Sequence, residues 1–87
     1  MYMLIYITGV QVVGPYSLEL TFNDSTQRRV NLRQFLWGEV FLPLRDPAYF
    51  AKVELNEWTV CWPNGADFAP EFLYELEPET TQLTTAS

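Results

Sequence analysis

The residues best placed by type and spacing to do chemistry fall in one segment, where Trp62-Pro63-Asn64-Gly65-Ala66-Asp67 runs into Pro70-Glu71-Phe72-Leu73-Tyr74-Glu75. Asn64, Asp67 and Glu71 beside an exposed Trp62 would make a polar cluster with an aromatic wall. Trp62, Asn64 and Tyr74 would line a pocket for a small molecule or peptide, since aromatic walls with a few polar groups are the usual composition of such sites. Glu71 and Glu75 lie four residues apart on one helical face, where two carboxylates could face a hard cation. Each residue also has a sufficient local task. Asn-Gly favours a tight turn with positive φ, Asp67 can accept backbone N–H groups, and a first-turn Glu71 suits a helix dipole. Calcium takes six to eight oxygens, so two carboxylates on a solvated helix face point first to solubility. The strand–turn–helix reading of this segment is therefore preferred over a metal site. Paired carboxylates for glycoside hydrolysis need a cleft, for which a chain of this length has little room.

The rest of the census removes most catalytic chemistry. The chain has no histidine and one cysteine, Cys61, so the commonest general base and metal ligand is missing. Neither an intramolecular disulfide nor a cysteine-based zinc site can be built. Without a histidine to activate it, Cys61 reads as a small buried apolar residue. The four glycines are scattered singly, so no phosphate-cradling loop is present, and Asp24 lacks the glycine spacing of a calcium loop. Arg28 and Arg29 form an adjacent basic pair expected to face solvent or to meet Glu19 across a strand pair. The expectation is a protein that is not an enzyme and binds no cofactor or metal.

Eleven acids against five bases give a formal net charge of −6. Nucleic-acid affinity comes largely from neutralising phosphates, so direct DNA or RNA binding is not expected. An acidic balance suits a basic protein partner, or solubility alone. The apolar opening from Met1 to Ile7 is too short to span a bilayer and lacks the charged leader of a signal peptide. A cytoplasmic location without membrane contact is expected, and a free cysteine is compatible with it.

These residues need elements to position them. Met3 to Val13 predicts a first strand with a bulge at Gly9, and Gly14-Pro15 a turn. Leu18, Leu20 and Phe22 alternate with Ser17, Glu19 and Thr21, the period of a half-buried strand. A turn at Asn23-Asp24-Ser25-Thr26 returns the chain as a third strand over Gln27 to Val30. Asn31 and Gln34 have the spacing of a capping box for a short helix that Gly38 stops. Val40 to Leu44 predicts a helical turn, and Asp46-Pro47 a helix start. Lys52 to Leu55 and Trp58 to Trp62 predict two more strands, with Trp58, Val60 and Trp62 on one face and Thr59 and Cys61 on the other. A last helix runs from Pro70 to Leu76. The order predicts an α+β fold: a small, mainly antiparallel sheet of about five strands, with short helices packed on one face. Residues 1–76 make one domain, and 77–87 a flexible C-terminal tail.

The strings Tyr16-Ser17-Leu18, Leu20-Thr21-Phe22-Asn23-Asp24, Val30-Asn31-Leu32, Pro43-Leu44-Arg45-Asp46-Pro47, Val60 to Asp67 and Pro70-Glu71 with Leu73-Tyr74-Glu75 together resemble the bacterial domain of unknown function 2442. The resemblance runs from about Val10 to Glu75. Ser25 departs from the usual glycine of the hairpin turn, and Asn56-Glu57 from a glycine-containing turn. The resemblance implies a small α+β domain of unestablished activity, often encoded beside a second small protein in an arrangement that suggests a toxin–antitoxin pair. Members with an added helix-turn-helix would bind DNA; no such domain is expected after Glu75 here. A protein-interaction module, in its specific form an antitoxin-like partner of a small basic protein, is the leading expectation, with Trp62, Asn64, Asp67, Glu71, Tyr74 and Glu75 as candidate interaction residues. A small-molecule or peptide site at Trp62 to Tyr74 is the alternative. The apolar first strand would also be a liability at a free sheet edge, and a homodimer covering it is one remedy.

Overall fold

Alternation on the second strand places the core. Leu18, Leu20 and Phe22 are buried, and Val30 joins them from the returning strand. In a computed structural model, which describes residues 4–78, β1 (Ile7–Gly14), β2 (Ser17–Phe22) and β3 (Gln27–Asn31) form an antiparallel sheet in the order β1-β2-β3. Regular strand structure begins at Ile7; Met3, the expected start, lies outside the described residues. The register shifts between Ile7 and Gly9, at the expected bulge, and again between Val12 and Gly14. Each added residue bends β1 and re-aims its side chains.

Two further antiparallel strands, β4 (Glu54–Leu55) and β5 (Val60–Cys61), pair with each other in a second sheet. The five strands thus divide three and two. The joint is made at one edge of β1, where Ile7 N donates to the carbonyl of Trp58 at 2.8 Å.

The connections are short helical pieces. The expected capping box does not form: Leu32, not Asn31, holds the N-cap position with no side-chain cap bond. Asn31, one residue earlier, accepts from Arg33 N through its Oδ1 at 3.0 Å, and the chain makes a single 3-10 turn, Arg33–Phe35. A second 3-10 turn, Leu42–Arg45, contains Pro43. The start at Asp46-Pro47 forms as expected: Asp46 accepts from Ala48 N at 3.0 Å ahead of α1 (Pro47–Phe50). The last helix, α2 (Pro70–Glu75), ends one residue before the expected Leu76. Phe50, Leu32, Leu36, Leu44 and Leu73 bury their side chains fully and close the core over the sheets. Each such burial contributes about 1.5–3 kcal/mol. Glu77 and Pro78 come after α2 without regular structure. Most of the expected tail, from Glu79 on, lies outside the described residues. Among those residues no helix is long and apolar enough to cross a membrane.

Candidate functional site

The Trp62-to-Glu75 segment begins with a tight turn. Trp62 N donates to Ala66 O at 2.9 Å, Gly65 N donates to Trp62 O at 2.9 Å, and Gly65 has φ of +91°. This is a three-residue hairpin loop whose last residue is left-handed. The strand pairing continues past it, as Cys61 bridges Asp67. The same loop occurs in the β2–β3 hairpin. There Phe22 N donates to Thr26 O and Ser25 N to Phe22 O, both at 2.9 Å, and Ser25 has φ of +72°. The side-chain contacts repeat as well: Asn64 Oδ1 accepts from Ala66 N at 3.1 Å, and Asp24 Oδ1 accepts from Thr26 N at 2.9 Å. Asn64 therefore has the turn-forming task of Asp24, and its Nδ2 adds a bond to Val40 O at 2.8 Å.

Trp62 departs from expectation. It is 2% exposed, its Nε1 donates to Phe50 O at 2.8 Å, and its ring packs on Phe50 and Phe68 at centroid distances of 5.5 and 6.0 Å. A buried indole needs such a partner for its N–H. Trp62 is a core residue and walls no open pocket. Trp58, expected on the same face, is 49% exposed. Asn56 Oδ1 accepts from both Trp58 N (2.7 Å) and Thr59 N (2.8 Å). The resulting bend breaks the strand alternation until Val60.

The remaining candidates do not converge on Trp62. Asp67, Glu71 and Glu75 are exposed, with Glu71 in the first turn of α2. Tyr74 is half-buried and turns toward the β2–β3 hairpin. Its ring meets Phe22 at 5.0 Å and lies under Arg28 at 5.5 Å, and its hydroxyl donates to Asp24 Oδ2 at 2.6 Å. That bond, helped by the Thr26 amide, holds the Asp24 carboxyl below its ordinary range. Arg29 sits opposite Glu19 in the expected register, whereas Arg28 leans onto Tyr74 and donates to Leu76 O at 3.3 Å. Cys61 is half-buried. Desolvation raises its thiol pKa first, and the nearby charges of Glu54 and Asp67 raise it further. Among the described residues no group of three or more His, Cys, Asp or Glu side chains comes together to hold a metal.

The structure assembles two surfaces that the sequence reading does not single out. The first is a row of rings: Phe41 against Phe68 at 5.0 Å, Phe68 stacked on Phe72 at 5.8 Å, and Phe72 edge-on to Phe35 at 5.1 Å. Phe68 is buried, whereas Phe72 reaches solvent at 39% exposure. Val40 and Leu42, which flank Phe41, are exposed, and Trp37 beside Leu36 is 70% exposed. The second is a groove of about 640 Å³ lined by Tyr16, Asn31, Arg33, Gln34 and Arg45. The Tyr16 hydroxyl donates to the Arg45 carbonyl across the groove, and the Arg33 guanidinium stands 5.9 Å from the Tyr16 ring centre.

Matched against family models, residues 7–79 fit the one described as protein of unknown function (DUF2442). The chain belongs to the DUF2442 family. No curated protein and no solved structure matches it. The match takes in every strand and helix above, both three-residue loops and both surfaces. Within the DUF2442 frame, the Trp62-Pro63-Asn64-Gly65 string is a fold-forming turn attached to a core tryptophan.

Proposed function

We propose that this DUF2442 domain works by contact with another protein and carries no chemistry of its own. The observation behind this reading is the aromatic row: Phe72, which meets solvent, packs on Phe35 and Phe68, and Phe68 on Phe41, while Trp37, Val40 and Leu42, in the same Phe35-to-Leu42 stretch as Phe35 and Phe41, are also exposed. Contiguous apolar surface rimmed by polar residues marks interaction sites, and a central tryptophan is a frequent anchor in them. Glu39, Glu71 and Glu75 are also exposed, and the net charge of −6 favours a basic partner through steering. The interaction surface thereby moves from Trp62 to Trp37 and Phe72, while Glu71 and Glu75 keep a place on its rim. The specific form implied by the family resemblance is an antitoxin-like role toward a small basic protein encoded alongside.

The test is co-expression with the product of the adjacent reading frame, followed by calorimetry on the purified pair. Trp37→Ala should weaken the complex at least tenfold, a loss of about 1.4 kcal/mol or more, and barely move the unfolding midpoint. Failure of the two proteins to associate at micromolar concentration counts against the antitoxin-like form. Light scattering covers the homodimer: a dimer that Trp37→Ala turns into a monomer would make a second copy the partner.

A further inference from the structure

We infer that the groove between Arg33 and Arg45 is a binding site for a compact oxyanion, a phosphate group or a carboxylate. This goes beyond the protein-contact reading and does not depend on it. The chain has five cationic side chains against eleven acids. Two of the five line this one groove, and none of its five lining residues is acidic. Among the described residues no carboxylate lies within ion-pair distance of either guanidinium.

Both arginines are held by contacts that leave their forks open. Arg45 Nε donates to the Leu36 carbonyl at 3.0 Å and its guanidinium stands 5.8 Å from the Trp37 ring centre, so its two terminal nitrogens keep their N–H groups for a ligand. Arg33 faces the Tyr16 ring, and its guanidinium donates to no protein acceptor among the described residues. Tyr16 in turn is tied by its hydroxyl to the Arg45 backbone, so one aromatic ring supports both sides of the groove. Asn31 is spent on the fold, with Nδ2 donating to Ser17 Oγ at 3.2 Å and Oδ1 accepting from Arg33 N. The Gln34 side-chain amide supplies a neutral donor. A planar fork with parallel N–H groups matches the oxygens of carboxylate and phosphate. The overall negative field opposes anions at long range, but its reach is only about 8 Å at physiological salt, so recognition must come from these local donors.

The experiment is an NMR titration of the arginine Nε–H signals with inorganic phosphate and, separately, with succinate, against chloride at matched ionic strength. Saturable shifts confined to Arg33 and Arg45, weakened at least tenfold in Arg33→Gln and in Arg45→Lys, are expected for at least one probe. Arg45→Lys keeps the charge and removes the fork, and backbone dispersion in the same spectra reports folding. Tenfold tighter phosphate assigns a phosphate ligand, tenfold tighter succinate a carboxylate ligand, and comparable affinity the shared oxyanion chemistry. Linear drift, equal movement of Arg28 and Arg29, or no difference from chloride would overturn the inference. No protein partner enters the measurement, so its outcome is separate from that of the co-expression test.

Discussion

Replacing Trp62 by Phe separates a core role from a binding role at the residue that the sequence makes most conspicuous. The substitution deletes the indole N–H that meets the Phe50 carbonyl at 2.8 Å in a fully buried setting. That carbonyl keeps a longer bond from Val53 N at 3.3 Å, so losing the indole bond costs about 0.5–1.5 kcal/mol. The smaller ring also vacates space between Phe50 and Phe68, adding about 1–2 kcal/mol. The sum, roughly 1.5–3.5 kcal/mol, is a sizeable part of the 5–15 kcal/mol that holds a typical domain together. Urea unfolding followed by far-UV circular dichroism should show the midpoint falling by about 1–3 M. Whatever the Trp62→Phe protein retains of its fold should bind partners with unchanged affinity per folded molecule. A stability within about 0.5 kcal/mol of the parent, the spread expected of surface substitutions, would refute the core assignment.

Three further outcomes rest on local geometry. Ser25→Gly should stabilise by about 0.5–1 kcal/mol in the same unfolding assay, because Ser25 occupies at φ of +72° the place Gly65 fills in the matching loop. Asp24 should titrate below the ordinary carboxylate range, and Tyr74→Phe should move its pKa upward by carbon-detected NMR, since the Tyr74 hydroxyl is the largest cause of the depression. With a depressed folded pKa, Asp24 contributes stability above its unfolded pKa, and that contribution is lost as pH falls through the lower folded value. Cys61 should alkylate more slowly than a free thiol at mildly alkaline pH. Asp67→Asn should speed the reaction only in part, because burial is the larger cause of its raised pKa.

Local patterns are readable where the partner is near in sequence. The period of Leu18, Leu20 and Phe22, the Asp46-Pro47 helix start and the turn after Trp62 all rest on contacts spanning a few residues, and all appear as expected. The departures come from distant or side-chain partners. Trp62 reads as a surface residue until its nitrogen finds Phe50 O twelve residues away. Trp58 loses its expected face because one asparagine side chain takes two backbone amides and bends the strand. The groove has even less of a signal. Arg33 and Arg45 look unrelated in the chain until Tyr16, 29 residues before Arg45, is tied to its carbonyl. The string Leu44-Arg45-Asp46-Pro47 is conspicuous as a family mark, yet its arginine acquires a role only through that closure.

The turn after Trp62 also governs how the protein ages chemically. Asn-Gly is the dipeptide most prone to deamidation, because the glycine nitrogen can fold back onto the asparagine side-chain carbon. At Asn64-Gly65 that nitrogen is already donating to Trp62 O, and the side chain is anchored at both ends, to Val40 O and Ala66 N. Reaching the cyclic intermediate requires breaking all three bonds, so the hairpin that shapes this corner also slows its decay. Once the loop opens, the product aspartate adds a negative charge to a chain already at −6 and presents an oxygen to the Val40 carbonyl where a donor stood. Loss of the hairpin's closing bonds and loss of the amide would then reinforce each other, making residue 64 a built-in clock of the fold's integrity.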